Sequence, residues 1–315
     1  MARRSPFRAV AIAALVALAV SATVSAQEMR CAKDGDTLSI KAGDRPLLAY
    51  RSAPGPLKVY VKELYTPGGV QVLLDSPHDH VHHHALMYAI GAGGVDFWIE
   101  GAGQKAGKQV PRSDAVAGVA KDGGREQATI EHTLDWTGPD GKSILEERRR
   151  IVVHHPKDAG ATLLTWSSRL RPAEGKYAVD LAPARHYFGL GLRPVRAMDK
   201  GTFLNPTGKE GETVRGTERL LRAPWCAYHG AIDGRAVTVA MFDHPGNPRH
   251  PATWFTMTAP FAYLSATLNL HREPMALGAG QTLSLVYGVA LWDGKTSADE
   301  VEKAYGHWAA LAAKR

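Results

Sequence analysis

Only two cysteines, Cys31 and Cys226, stand among the 315 residues, so at most one disulfide can staple the chain. In an oxidising compartment they could pair and tie the N-terminus to the body. Equally, one thiol could be buried and the other loose; their Cα separation decides. Long apolar runs are missing too. The longest, Ala9 to Val20, has the length of a signal peptide and is too short for a membrane span. No basic stripe with interleaved aromatics occurs, which excludes a nucleic-acid surface of the ordinary kind. Arg148-Arg149-Arg150 is the densest basic run; it follows Glu146-Glu147 and reads as the solvated face of a strand. No two carboxylates stand at a spacing that announces two-carboxylate glycosidase chemistry. Gly189-Leu190-Gly191 is not a nucleotide fingerprint. Internal repeats and low-complexity linkers are absent.

Arg3, Arg4 and Arg8 give the N-terminus a positive start, and Val24-Ser25-Ala26 forms a small-residue cleavage site. Residues 1–26 therefore read as an export signal and 27–315 as one mature domain, periplasmic or secreted. No stable membrane span is expected once the signal is cleaved. Cys31 follows Glu28-Met29-Arg30, which is no lipobox, so a lipoprotein is not expected. Cleavage removes three arginines and no acids, so the net charge of +7 becomes +4.

The 32 glycines and 19 prolines are spread along the whole length and mark many turns. Between them run short strands: Leu57 to Val61, Val70 to Leu74, Ala85 to Ile90, Gln127 to Trp136, Ser143 to His154, Ala161 to Leu170, Arg235 to Phe242, Thr253 to Thr258 and Ala262 to Leu270. Leu283, Leu285, Tyr287, Val289 and Leu291 alternate most clearly. Asp140-Gly141 signals a hairpin. Residues 101–125 and 198–217 read as loops. Only the end is helical: Ser297 to Glu300 has the form of a capping box, and Val301, Ala304, Trp308 and Leu311 share one face. The fold expected is all-β, a large β-sandwich with a short C-terminal helix.

The most unusual stretch is Asp75-Ser76-Pro77-His78-Asp79-His80-Val81-His82-His83-His84, with five of the fourteen histidines in seven positions. Neutral imidazole ligates divalent metals and moves protons near neutral pH. In an extended chain His78, His80, His82 and His84 would face one side and Asp79, Val81 and His83 the other. One strand cannot supply a whole coordination sphere, so two or three of these rings would ligate a metal, with His80, His82 and His83 the candidates. The bland alternative is a surface run that picks up metal by chance.

Phe242-Asp243-His244-Pro245-Gly246-Asn247-Pro248-Arg249-His250-Pro251 is a loop fixed by three prolines. Asp243, His244, Asn247, Arg249 and His250 could reach a polar ligand, or Asp243 and Asn247 could merely satisfy backbone amides. Arg185 to Arg193 and the segment around Trp225 and Tyr228-His229 are further candidates. Seven tryptophans suit sugar binding, where a flat ring gives broad apolar contact.

Asp79-His80-Val81-His82-His83, Val95-Asp96-Phe97-Trp98, Phe188 to Arg193 and Phe242 to Pro251, in that order, resemble the successive signatures of the DUF6807 family, which also goes under the label of methane oxygenase. The resemblance runs from Leu57 to Asp293. Val81 stands where proline is usual, and His84 where arginine is usual. The resemblance implies an exported β-sandwich similar to the supersandwich, galactose mutarotase-like domains. It points to His80, His82, His83, Asp243, His244, Asn247, Arg249 and His250.

The residues support three functional readings. The first is an exported carbohydrate-active enzyme, a hydrolase, lyase or epimerase acting on a sugar-like small molecule. His80, His82, Asp243 and His244 would be its catalytic groups, Arg193, Trp225, Asn247, Arg249 and His250 would hold substrate, and His80, His82 and His83 would take a divalent metal. The second is a non-catalytic sugar- or partner-binding module. The third, following the family label, is a copper- or iron-dependent oxidase.

Overall fold

The computed structural model describes residues 28–100, 106–155, 160–174 and 178–313. The expected signal and its cleavage site lie outside these. Two large antiparallel sheets form a sandwich. The ten-stranded sheet runs, edge to edge, Met29–Asp34, Thr37–Ala42, Arg45–Arg51, Tyr60–Leu64, Leu86–Ala89, Gly189–Leu192, Tyr263–Thr267, Thr253–Met257, Glu218–Arg222 and Glu212–Arg215. The nine-stranded sheet runs Thr202–Leu204, Trp225–Ile232, Arg235–Asp243, Leu283–Asp293, Thr162–Pro172, Ser143–His154, Arg125–Thr137 and Lys108–Pro111, with Val116–Asp122 also paired to Arg125–Thr137. The expected β-sandwich is the fold.

Alternation builds it. Leu283, Leu285, Tyr287, Val289 and Leu291 all point into the main core, as their spacing predicts. The other face of this strand is covered as well. Ala290 joins Leu163, Trp225, Ala227, Ala240 and Phe242 in a second cluster under the helix Ala298–Ala312. Val301 and Trp308 are the fully buried side chains of that helix, with Ala304 and Leu311 packed beside them. Its capping box closes as read: Ser297 accepts from the Glu300 amide, and the Glu300 carboxylate accepts from the Ser297 amide at 2.8 Å.

Three expectations change. Residues 101–125 are not wholly loop, since the strands Lys108–Pro111 and Val116–Asp122 lie within them. Within 198–217, Thr202–Leu204 and Glu212–Arg215 pair at sheet edges. The basic run is not all solvated either. Arg149 is 2% exposed and donates to the buried Glu147 at 2.9 and 2.8 Å. Glu147 also accepts from Trp136 Nε1 and Ser168 Oγ, which makes a charged core polar but satisfied. Glu147 and Arg149 stand two residues apart, so one inward strand face takes both. Cys31 and Cys226 are both free thiols, Cys226 buried.

Candidate functional site

The histidine stretch is a loop of two turns, not a strand. His80 N donates to Pro77 O and His83 N to His80 O, both at 2.9 Å. Pro77 fixes the first bend. The neck is closed by backbone bonds from Ser76 N to His83 O and from Ala85 N to Leu74 O. The turns break the alternation expected of an extended chain. They gather His80, His82 and His83, while His78 is left exposed and His84 turns inward. Ring centroids are 4.8 Å apart for His80–His83, 4.5 Å for His82–His83 and 5.7 Å for His80–His82. Asp79 pairs through Oδ1 with Arg196 at 2.7 Å and keeps Oδ2 3.4 Å from His80 Nδ1.

His84 and Asp75 anchor the neck. His84 Nδ1 lies 2.9 Å from Asp75 Oδ1, and Tyr60 donates its hydroxyl to Asp75 Oδ2 at 3.0 Å while stacking on the His84 ring. On the other side His84 Nε2 meets Glu100 Oε2, and Lys58 Nζ meets Glu100 Oε1 at 2.6 Å. Signs alternate along this buried row: carboxylate, imidazole, carboxylate, ammonium. Burial alone would lower the pKa of His84, but its bonds to Asp75 and Glu100 hold it above the usual imidazole value. Burial would raise that of Glu100, but His84 and Lys58 hold it below the usual carboxylate value.

The three gathered rings form one wall of a cavity of about 630 Å³. Its other sides are Trp98, Tyr187, Phe188, Phe255, Phe261 and Tyr263, with Asp96, Arg185, Arg215 and Glu218 at polar positions. The alternation of Thr253–Met257 sets this up: Phe255 and Met257 face this cavity, whereas Thr256 lines a smaller cleft of about 450 Å³ between the edges of the two sheets. Gly191 makes room. A Cβ there would run into the Tyr263 hydroxyl and the Trp98 ring.

Burial first, then the neighbouring Lys58 and His80 charges, lower the pKa of His82 to about 4. Burial, with His82 and His80 next, lowers that of His83 to about 2. Both rings are neutral at pH 7. Nδ1 of His83 is buried without a hydrogen-bond partner, and Nδ1 of His80 has only Asp79 Oδ2 near it, at 3.4 Å. The His83 ring sits 4.8 Å from that of Tyr263. Glu218 lies two strands further across the sheet, about 10 Å on at ordinary strand spacing. It accepts from Arg215 Nε at 2.8 Å and pairs with His186 Nε2 at 3.0 Å.

The proline-framed loop is elsewhere. None of its residues lines this cavity. Asp243 accepts from Asn247 Nδ2 and the Ala252 amide, and pairs with His250 Nδ1 at 2.7 Å. Asn247 also exchanges both hydrogen bonds with the Val286 backbone. Arg249 donates to Leu268 O, and the His244 ring packs against Trp308. These contacts tie strand ends together, the bland reading of the loop. Trp225 is fully buried under the C-terminal helix, with Nε1 on Glu302. Arg193 is fully buried too, its guanidinium 3.6 Å over the Phe261 ring, so Phe261 rather than Arg193 lines the cavity.

The sequence reading thus found one wall and missed the other. Glu218, Arg215, Phe255 and Phe261 carried no local signal, nor did Lys58 and Glu100. Arg185, Tyr187, Phe188 and Trp98 stood in stretches singled out for other reasons.

Residues 37–306 match the model of DUF6807, a family of unknown function. No curated protein matches. Among solved structures the chain is similar to the α-galactosidase from Lactobacillus brevis, at 8% identity and a TM-score of 0.47, covering 89% of this chain and 42% of that one. It is also similar to heparinase III, at 11% identity and a TM-score of 0.34, covering 87% of this chain and 36% of that one.

Proposed function

The chain belongs to DUF6807, a family that brings no assigned reaction with it, and from its own cavity we propose an exported carbohydrate-active enzyme. The observation that carries this reading is a ligand-sized hollow with aromatic sides and a wall of imidazoles kept neutral by burial. The volume falls within the range of small-molecule sites. Aromatic faces suit the apolar side of a sugar ring, and the polar groups between them suit its hydroxyls. A neutral imidazole keeps a lone pair free at pH 7, and His82, the less depressed of the two, serves as the base, while His83 shapes the wall. Glu218 stands far enough away for a sugar ring to fit between. Lyase and epimerase chemistry begin with proton abstraction by such a base, and inverting hydrolysis uses one to activate water.

A divalent metal is the second reading, favoured by the unpartnered Nδ1 atom of His83. As arranged, the rings do not make a ligand set: among the described residues no group of three or more His, Cys, Asp or Glu has metal-holding geometry. The loop would have to re-form around the ion.

Tag-free protein should bind sugars in ligand-observed NMR and lose that binding in His82→Ala. Element analysis of the same sample reads the metal alternative. Retention of sugar binding by His82→Ala and by Tyr187→Ala together would place the ligand outside this cavity.

A further inference from the structure

The C-terminal helix covers the outer face of the nine-stranded sheet around Leu163 and Ala290. Further along that face Arg112, Arg148, Arg169 and Arg171 line a hollow of about 370 Å³, and Glu146 is the one carboxylate lining it. Counting the adjoining Glu131, Asp135 and Arg150 as well, five arginines meet three carboxylates, a surplus of two. Every carboxylate is taken: Glu131 by Arg150, Asp135 by Arg112, and Glu146 by both Arg112 and Arg171. Arg148 and Arg169 are left over. Both are exposed, and neither makes a hydrogen bond or ion pair among the described residues. Strand register brings them together. They stand directly opposite each other on Ser143–His154 and Thr162–Pro172, which sets their Cβ atoms roughly 5 Å apart. Like charges so placed repel. Thr133, the register partner of Arg148 on its other side, and Thr282 line the same hollow and can add hydroxyl donors. A carboxylate has two oxygens and one charge, and one guanidinium satisfies it. A phosphate dianion offers three oxygens and about two charges, enough for both.

We propose that this hollow is an anion site for a phosphate dianion, free or esterified to a small molecule, held between Arg148 and Arg169. It is separate from the aromatic cavity, whose strand residues Glu218, Phe255 and Tyr263 belong to the other sheet. It therefore stands or falls independently of the sugar reading. The bound anion takes the place of the carboxylate that this row of the sheet lacks.

The test is calorimetric titration of the full chain, at pH 8 and low salt, with inorganic phosphate, glycerol 3-phosphate, acetate and polygalacturonate. Both phosphates should bind about ten-fold tighter than acetate, and added chloride should weaken them. Either order of the two phosphates supports the site: a tighter ester marks an esterified ligand, and equal affinities mark the free ion. Arg148→Gln and Arg169→Gln, both at exposed strand positions, should each weaken phosphate about five-fold, whereas His82→Ala should leave its affinity unchanged. Acetate binding as tightly as phosphate, or phosphate affinity unchanged in both arginine variants, overturns the proposal. Loss of phosphate binding in His82→Ala alone moves the anion to the aromatic cavity and overturns it too. So does polygalacturonate binding that Arg148→Gln abolishes and phosphate cannot displace, which would make the face a track for a polymer.

Discussion

The Nε2 atom of His84 lies 2.9 Å from Oε2 of Glu100, and both side chains are almost wholly shut away from water. This pair fastens a loop of aromatic bases to the body of a sheet, because Glu100 is held in turn by Lys58. Removing one member strands the others. Glu100→Ala should therefore lower the unfolding free energy by about 3 kcal/mol, since it leaves the Lys58 ammonium buried alone. Chemical denaturation checks this; a loss under about 0.5 kcal/mol would mean that water reaches the row.

The same row predicts a pH dependence. The folded pKa of His84 stands above its unfolded value, so its contribution is complete below the unfolded value and fades as pH rises through the folded one. The folded pKa of Glu100 stands below its unfolded value, so its contribution is complete above the unfolded value and fades as pH falls through the folded one. Both are fully present between about pH 4.3 and 6.5. The stability gap between wild type and Glu100→Gln should be widest there. A gap that is flat from pH 4 to pH 8 would contradict the linkage.

His82 is half-buried and packs against few neighbours, so His82→Ala should leave the melting temperature nearly unchanged while abolishing activity. With a pKa of about 4, its ring stays basic and uncharged across mildly acidic pH. Turnover should hold from pH 7 down to 5 and fall away near pH 4. An inflection near 6.5 would mark a solvent-exposed imidazole.

Gly191→Ala sets a methyl group against the Tyr263 hydroxyl and the Trp98 ring. The expected cost is about 1–3 kcal/mol from overpacking. Adding Tyr263→Phe removes the hydroxyl and should restore part of the loss in thermal melts. No rescue would locate the strain at Trp98 instead.

Asn247→Ala loses its bonds to Asp243 and to both backbone groups of Val286. Stability should drop by about 1–3 kcal/mol while ligand affinity stays as it was. A lost affinity with unchanged stability, read by titration and denaturation together, would return this loop to the binding site.

The layers of the fold were legible because alternation is a local pattern. Leu283 to Leu291 announced its inward face, and Ser297 to Glu300 announced its helix start. The histidine loop stood out by composition, yet its shape did not. Turns at Pro77 and His80 chose His80, His82 and His83 from among five imidazoles, and no period of two foretells that. The far wall was hidden for a different reason. Glu218 and Phe255 become neighbours of the cavity through strand order, which sets residues distant in the chain side by side. Arg149 misled because a charged residue in a strand usually faces water, and here an ion pair and hydrogen bonds replace that water. The Asp243 loop misled in the opposite direction: polar residues framed by prolines serve a strand junction as well as they serve a ligand.

The strand Thr253–Met257 is a party wall, with Phe255 and Met257 turned to one chamber and Thr256 to the other. The two linings come from three consecutive residues, Phe255, Thr256 and Met257, taken in turn. An insertion or deletion of a single residue before Phe255 would exchange the furnishings of both rooms at once. Laboratory remodelling of either chamber must therefore proceed by replacement, never by lengthening.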